Sequence, residues 1–250
     1  MTDSITYVGH STVRLELAGT TLLTDPLLRG RFLHVRRQAR APAPGTLADL
    51  DAVLVSHLHP DHLDFASLRA LDRDTRMVVP AGGARVVRRR GFRRVTELRP
   101  GDATLVGSVE VVATAAAHDG RRYPLGPRIQ ALGFDLRAPA TRVYFAGDTD
   151  LFDEMKDLAG GVDLALLPIG GWGPRVKSGH LDPRRAAQAA AMIRPRIVVP
   201  IHWGTYLRAG LERSPGLLSD PPRELVAQLA ELAPGVQARV LAPGASLELG

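Results

Sequence analysis

Ser56-His57-Leu58-His59-Pro60-Asp61-His62-Leu63-Asp64 is the stretch on which the reading of this chain turns. Three imidazoles and a carboxylate fall between His57 and His62, directly after the run Asp51-Ala52-Val53-Leu54-Val55. A short apolar run of this kind reads as a buried strand, and open α/β sheets place ligands beyond the ends of their strands. Histidines two apart project in similar directions from extended chain, so His57 and His59 share one target. Pro60 introduces a turn that can send Asp61 and His62 towards a second. The arrangement suits two metal ions better than one. A histidine-rich surface patch would explain neither the strand before the cluster nor its internal order.

Further ligand candidates stand far from this loop. His118 follows the apolar stretch from Val109 to Ala117, Asp148 follows Arg142-Val143-Tyr144-Phe145-Ala146-Gly147, and His202 follows Arg196-Ile197-Val198-Val199-Pro200-Ile201. Polar residues that repeatedly close apolar strands are not something packing alone requires. Taken singly, His118 or His202 also reads as a hydrogen-bonded structural histidine. His180 sits in a glycine-rich loop ahead of a helical stretch beginning near Pro183, and there the structural reading stands level with the functional one.

The His57-x-His59-x-Asp61-His62 segment, followed by His118, Asp148 and His202, resembles the ligand set of the metallo-β-lactamase fold in order and spacing, over nearly the whole chain. That resemblance implies an αββα sandwich of two mixed β-sheets flanked by helices. It also implies that His57, His59 and His118 hold one metal, that Asp61, His62 and His202 hold the other, and that Asp148 bridges them. The chain has no cysteine, so its ligands differ from those of the antibiotic-degrading members that use one in the second site. Several segments are similar to a narrower group, the N-acyl-phosphatidylethanolamine-hydrolysing phospholipase D and the L-ascorbate-6-phosphate lactonase. They are Tyr7-Val8-Gly9-His10-Ser11-Thr12, Thr24-Asp25-Pro26, Phe145 to Thr149, Leu167 to Gly171, His180-Leu181-Asp182-Pro183 and Ile201 to Thr205. The likeness assigns a subgroup and not a substrate, and no lipid-binding segment is evident.

Two cations a few Å apart can share a hydroxide, lower its pKa and polarise an ester or phosphoryl oxygen. Imidazoles with carboxylates match zinc, with manganese or iron also compatible with the ligand types. Asp61 can orient the hydroxide while serving as a ligand. His180 is the candidate for substrate contact or for protonating the leaving group, because the resembled phospholipase group has a histidine in its matching His-x-x-Pro segment. Asp25 is expected to orient a ligand imidazole, and His10 either supports a ligand or is buried for packing. Gly170-Gly171-Trp172-Gly173 reads as a loop that shapes a rim. The expected activity is dinuclear metal-dependent hydrolysis of a phosphodiester, lactone or related ester. A metal-dependent nuclease acting on RNA or DNA is the alternative, followed by a one-iron redox enzyme and a metal-binding scaffold without turnover.

Composition sets the remaining bounds. At 250 residues and 45% hydrophobic content the chain can bury a large core, and residues 1–250 are expected to form one domain. The 19 prolines and 25 glycines imply many short elements joined by turns. Zero cysteines exclude disulfides and thiolate ligands. The amino terminus runs directly into Ile5-Thr6-Tyr7-Val8, so no cleavable signal is expected, and no run reaches transmembrane length. Cytoplasmic location and no stable membrane insertion are the expectations.

The net charge of +6 gathers in Arg29 to Arg40, Arg88 to Arg94 and Arg121 to Arg128. These arginines read as solvated surface, or as attraction for an anionic small-molecule substrate. Aromatic residues do not interleave them, which disfavours nucleic acid as a partner. Oligomeric state is left open. Along the chain, strands are expected at 5–8, 12–17, 21–23, 51–55, 76–79, 104–106, 109–116, 131–137, 142–146, 163–167, 198–201, 237–241 and 246–249. Helices are expected at 65–71, 84–90, 151–158, 183–193 and 223–232, with 29–48 as a Pro- and Arg-rich connection bordering the site.

Overall fold

Thr12–Leu17 shows in miniature how the first sheet forms, since its alternating residues turn Leu15 and Leu17 inward and leave Glu16 exposed. The computed structural model describes every residue except Met1, Pro124, Trp172, Pro174, Arg175, Lys177, Glu212, Arg213 and Pro215. Among the described residues there are two seven-stranded sheets and a smaller third one. The first sheet runs, edge to edge, Ser246–Leu249, Asp3–Gly9, Thr12–Leu17, Thr20–Thr24, Ala52–Leu54, Arg76–Pro80 and Val95–Leu98. The second runs Gln237–Ala238, Ile197–Ile201, Leu164–Pro168, Arg142–Phe145, Gln130–Arg137, Val109–Asp119 and Ala103–Val106. Both are mixed, antiparallel where a short turn joins neighbours and parallel where the chain crosses over. Leu164–Pro168 and Ile197–Ile201 are buried at every position, as expected of parallel strands covered on both faces.

The sheets pack face to face through Ile5, Leu15, Leu54, Val111, Phe134, Phe145, Leu166 and Val199. Outside the second sheet lie helices Pro183–Ile193 and Gly216–Leu232, seated on Tyr144, Ala165, Leu167 and Val198. Pro183–Ile193 begins where expected: Asp182 accepts the Arg185 N–H and Pro183 occupies the first turn. Outside the first sheet the cover is thinner, the helix Ala84–Arg88 and the 3₁₀ turn Ser67–Ala70 over Val53, Val55, Met77 and Val79. The order of layers is the αββα sandwich.

Local expectations needed correction where segments were short. The helices expected at 65–71 and 151–158 are the 3₁₀ turns Ser67–Ala70 and Asp153–Leu158, neither with a side-chain cap, in runs too short to recover the cost of α-nucleation. The last helix starts at Gly216 rather than near Arg223. Val95–Leu98 is an unexpected strand at a sheet edge, with only Leu98 buried. The connection at 29–48 contributes Arg31–Phe32 and Val35–Arg37 to the third sheet, where Val35–Arg37 pairs with Arg31–Phe32 on one side and Tyr206–Arg208 on the other. The apolar cluster of Leu27, Phe32, Val35 and Tyr206 unites those distant strands. Among the described residues, no helix is long and apolar enough to cross a membrane.

Candidate metal centre

The ends of strands from both sheets meet at one side of the sandwich. Ala52–Leu54 leads into His57, Arg142–Phe145 into Asp148, and Ile197–Ile201 into His202, while His118 lies in the last turn of pleat of Val109–Asp119. Close backbone approach makes the junction possible. Gly147 has φ +61°, and a Cβ there would lie 2.7 Å from that of Ser56. Gly9 has φ +131°, and a Cβ there would lie 2.7 Å from Thr205 Cγ2. Three polar residues also take left-handed backbone, His10 at φ 58°, Asp25 at 35° and His202 at 61°. Such conformations cost on the order of 1–3 kcal/mol each and concentrate at functional sites. The His202 N–H donates to the His10 carbonyl at 2.7 Å, locking two of them together.

The side chains converge in two groups. In one, His59 Nδ1 lies 2.9 Å from His57 Nε2 and 3.2 Å from His118 Nε2. In the other, Asp61 Oδ2 lies 3.6 Å from His62 Nε2 and 3.9 Å from His202 Nε2. Asp148 stands between them: Oδ2 is 4.0 Å from His57 Nε2 and 3.1 Å from His62 Nε2, while Oδ1 is 3.4 Å from His202 Nε2. All seven expected ligands are therefore together. His180 joins them, its Nε2 3.4 Å from Asp148 Oδ2 and its ring edge-on to His118 at 4.6 Å. His10 joins the second group, with Nε2 3.1 Å from Asp61 Oδ2 and its ring 3.9 Å from that of His202.

What stands behind the imidazoles fixes their inward nitrogens. His118 Nδ1–H donates to the Gly179 carbonyl at 2.8 Å, and His202 Nδ1–H to the Gly170 carbonyl at 2.8 Å. A carbonyl only accepts, so the proton is on Nδ1 and the Nε2 lone pair faces the cluster. Buried Asp25 does the same for two others. Its Oδ2 accepts from His62 Nδ1–H at 2.7 Å and from the Ser56 hydroxyl at 2.5 Å, and its Oδ1 from the Ser56 N–H at 2.7 Å. The Ser56 Oγ then accepts from His57 Nδ1–H at 2.9 Å. Carboxylates and carbonyls behind ligand imidazoles are the usual support of a metal site.

The donor set fits divalent metal. His62 Nε2, His202 Nε2 and Asp148 Oδ1 are buried without a hydrogen-bond partner of suitable geometry. Unsatisfied buried polar atoms crowded in this way are costly unless a cation is shared among them. The groupings His57/His59/His118 and His10/Asp61/His62/His202 each place one donor atom per residue within 4.8 Å of the rest.

Titration follows the same geometry. Burial, with positive neighbours, holds the His57 imidazole well below its ordinary value. Burial takes His59 to about 4 and His202 to about 3, and lowers His118. These four are neutral, lone-pair-bearing rings at neutral pH. Burial also opposes the charge on His62, but Asp148, Asp61 and Asp25 outweigh it and raise that imidazole well above the ordinary value. His180 is raised too, because its hydrogen bond and charge interaction with Asp148 exceed the effect of burial. Burial resists ionisation of Asp61 and Asp148, yet the surrounding imidazoles hold both below the usual carboxylate range.

Several participants carry no sequence signal of this role. The Gly170 and Gly179 carbonyls are backbone atoms available at any residue. Arg122, read only as part of a basic run, donates through Nη1 to the Leu58 carbonyl at 3.1 Å and the Leu63 carbonyl at 2.8 Å, tying the two ends of the ligand loop. Its guanidinium lies 3.6 Å from the Phe65 ring centroid. Of the expected rim, Gly170 supports His202, while Trp172 lies outside the described residues.

Residues 20–203 match the family described as a beta-lactamase superfamily domain, and the chain belongs to that superfamily as a metal-dependent hydrolase. It is 32% identical over 250 residues to a UPF0173 metal-dependent hydrolase of Caldivirga maquilingensis, covering 97% of this chain and 96% of that one. It is 33% identical over 227 residues to N-acyl-phosphatidylethanolamine-hydrolyzing phospholipase D 1 of Caenorhabditis elegans, covering 80% of this chain and only 64% of that longer protein. Among solved structures, Igni18, a metallo hydrolase of the archaeon Ignicoccus hospitalis, is similar in fold at a TM-score of 0.75 and 24% identity, covering 100% of this chain and 99% of the other.

Proposed function

We propose that the protein is a dinuclear hydrolase of a phosphodiester, lactone or related ester, and that two divalent ions, zinc foremost, bind in the two donor groups. His57, His59 and His118 would hold one ion, Asp61, His62 and His202 the other, and Asp148 both. The observation that carries this reading is the position of Asp148 between the groups, with Oδ2 4.0 Å from His57 Nε2 of one and 3.1 Å from His62 Nε2 of the other, and Oδ1 3.4 Å from His202 Nε2. When bound, the ions supply Lewis acidity towards the ester oxygen and a water acidic enough to attack at neutral pH. Asp61, kept ionised by its imidazole neighbours, orients that water through its carboxylate. His180, raised by Asp148 and partly exposed, approaches from the open side and can hold the proton required by the departing oxygen. His57, His59, His118 and His202 stay neutral and take no part in proton transfer. The sandwich core, drawn from Ile5 to Leu249, supports treating residues 1–250 as one hydrolase domain.

The test combines metal analysis with a substrate screen. Fully active protein should contain about two transition-metal ions per chain. It should cleave at least one class among phosphodiesters, lactones and N-acyl phospholipids, and lose that activity on chelation. Full activity with one ion or none would reject the dinuclear reading.

A further inference from the structure

Two residues beyond Asp148, the chain places a second carboxylate that the proposed chemistry does not use. Asp150 Oδ1 accepts from the Leu151 N–H at 2.7 Å and pairs with Arg185 of helix Pro183–Ile193. Its Oδ2 accepts from the Gly179 N–H at 3.3 Å. The Asp150 N–H donates to the Ala117 carbonyl at 3.2 Å, so this carboxylate is fixed to the strand that bears His118. Arg185 is fixed in turn, because its N–H donates to the capping Asp182 at 2.8 Å.

Gly179 links this pair to the site. Its N–H is held by Asp150, its carbonyl holds His118 Nδ1–H at 2.8 Å, and the next residue is His180. Gly179 has φ +83°, a backbone state that side chains other than glycine's rarely adopt, and a Cβ there would lie 3.7 Å from His118 Nδ1. Gly179, immediately before His180, is therefore anchored from outside the imidazole cluster. We propose that Asp150, backed by Arg185, is a positioning residue that acts through Gly179. It sets the ring of His118 on one side and presents His180 to Asp148 on the other. This inference rests on the proposed roles of His118 as a ligand and His180 as the substrate-side histidine.

The experiment compares Asp150→Ala, Asp150→Asn and His180→Ala, singly and combined, by zinc affinity in chelator competition and by turnover at saturating zinc. Asp150→Ala should weaken the tighter or weaker of the two zinc steps, one of them only, by roughly 10–100-fold, as loss of support behind a ligand does. It should also remove most of the roughly 10²–10⁴-fold that His180 contributes if that residue is the general acid. Asp150→Asn leaves one acceptor oxygen to serve either the Gly179 N–H or the Leu151 N–H and Arg185, and should recover both readouts only in part. In the His180→Ala background, Asp150→Ala should cost turnover little more, since residues acting as a unit are not additive.

Wild-type zinc affinity and turnover in Asp150→Ala would overturn the proposal, as would full multiplication of the two losses. A silent His180→Ala would refute the role given to His180, while the zinc measurement would still decide whether Asp150 acts through His118. Should Asp150→Ala fail to fold, Gly179→Ala perturbs the same peptide with the Asp150–Arg185 pair intact. It should reproduce the loss of zinc affinity, and unchanged affinity there would equally overturn the proposal.

Discussion

Asp25→Asn is an informative perturbation because it replaces an oxygen by an NH₂ of nearly the same shape. Asp25 Oδ2 accepts two protons, from His62 Nδ1 and from the Ser56 hydroxyl, and Oδ1 accepts the Ser56 N–H. The best orientation of an amide keeps its oxygen on the Ser56 N–H and turns NH₂ towards both other donors. His62 can then avoid a donor–donor clash only by giving up its Nδ1 proton and keeping one on Nε2, the nitrogen turned towards Asp148 at 3.1 Å. The Ser56 Oγ can accept from both the amide and His57 Nδ1–H, but its own proton is stranded. One buried donor left unpaired costs about 1–3 kcal/mol, which sets the expected loss of stability. The larger effect falls on metal: a proton on Nε2 must be displaced, and lost support behind a ligand typically weakens affinity about 10–100-fold. Competition against a chromophoric chelator should show both zinc steps weakened, since Asp25 reaches His62 directly and His57 through Ser56. Ser56→Ala should weaken only the step that involves His57. Wild-type affinity for both ions in Asp25→Asn would refute the assignment of tautomers.

Asp148→Ala should remove metal loading at both groups together with hydrolysis, whereas His59→Ala should weaken mainly its own group; metal analysis of each purified variant decides, and normal content with full activity in Asp148→Ala would exclude a bridge. His180→Ala should retain both ions and lose roughly 10²–10⁴-fold in turnover, less for substrates with good leaving groups, as expected of a general acid. The metal-free protein should be most stable near pH 6.5. His57, His59, His118 and His202 are held below 6.5 in the fold, so the unfolded chain takes up more protons and stability falls as pH drops from 6.5 towards about 4. His62 and His180 are held above 6.5, so the fold retains protons and stability falls again as pH rises past that value. Asp25, raised by burial, opposes the acid limb as one group against four. Denaturant unfolding at pH 5, 6.5 and 8 measures this, and a steady rise across the series would contradict it.

The candidate ligands were legible because their signal is local. His57, His59, Asp61 and His62 owe their joint direction to one strand and one turn, and His118, Asp148 and His202 each close an apolar run that reads as a strand and forms one. The sandwich followed from the order of those runs and from the family likeness, and Pro183–Ile193 from its proline, alanines and capping Asp182. The supports behind the ligands were not legible in the same way. Gly170 and Gly179 act through carbonyls that every residue possesses, so no side chain announces them. Arg122 looked like any surface arginine until the fold set it against the Leu58 and Leu63 carbonyls. His10 was balanced between two readings until strand pairing brought it to Asp61, 51 positions away. Spacing along a strand constrains where side chains point, and so the sequence by itself determined which residues could bind metal. Only tertiary packing decides which backbone atoms and distant charges lie behind them, and those contacts set each imidazole's tautomer and protonation.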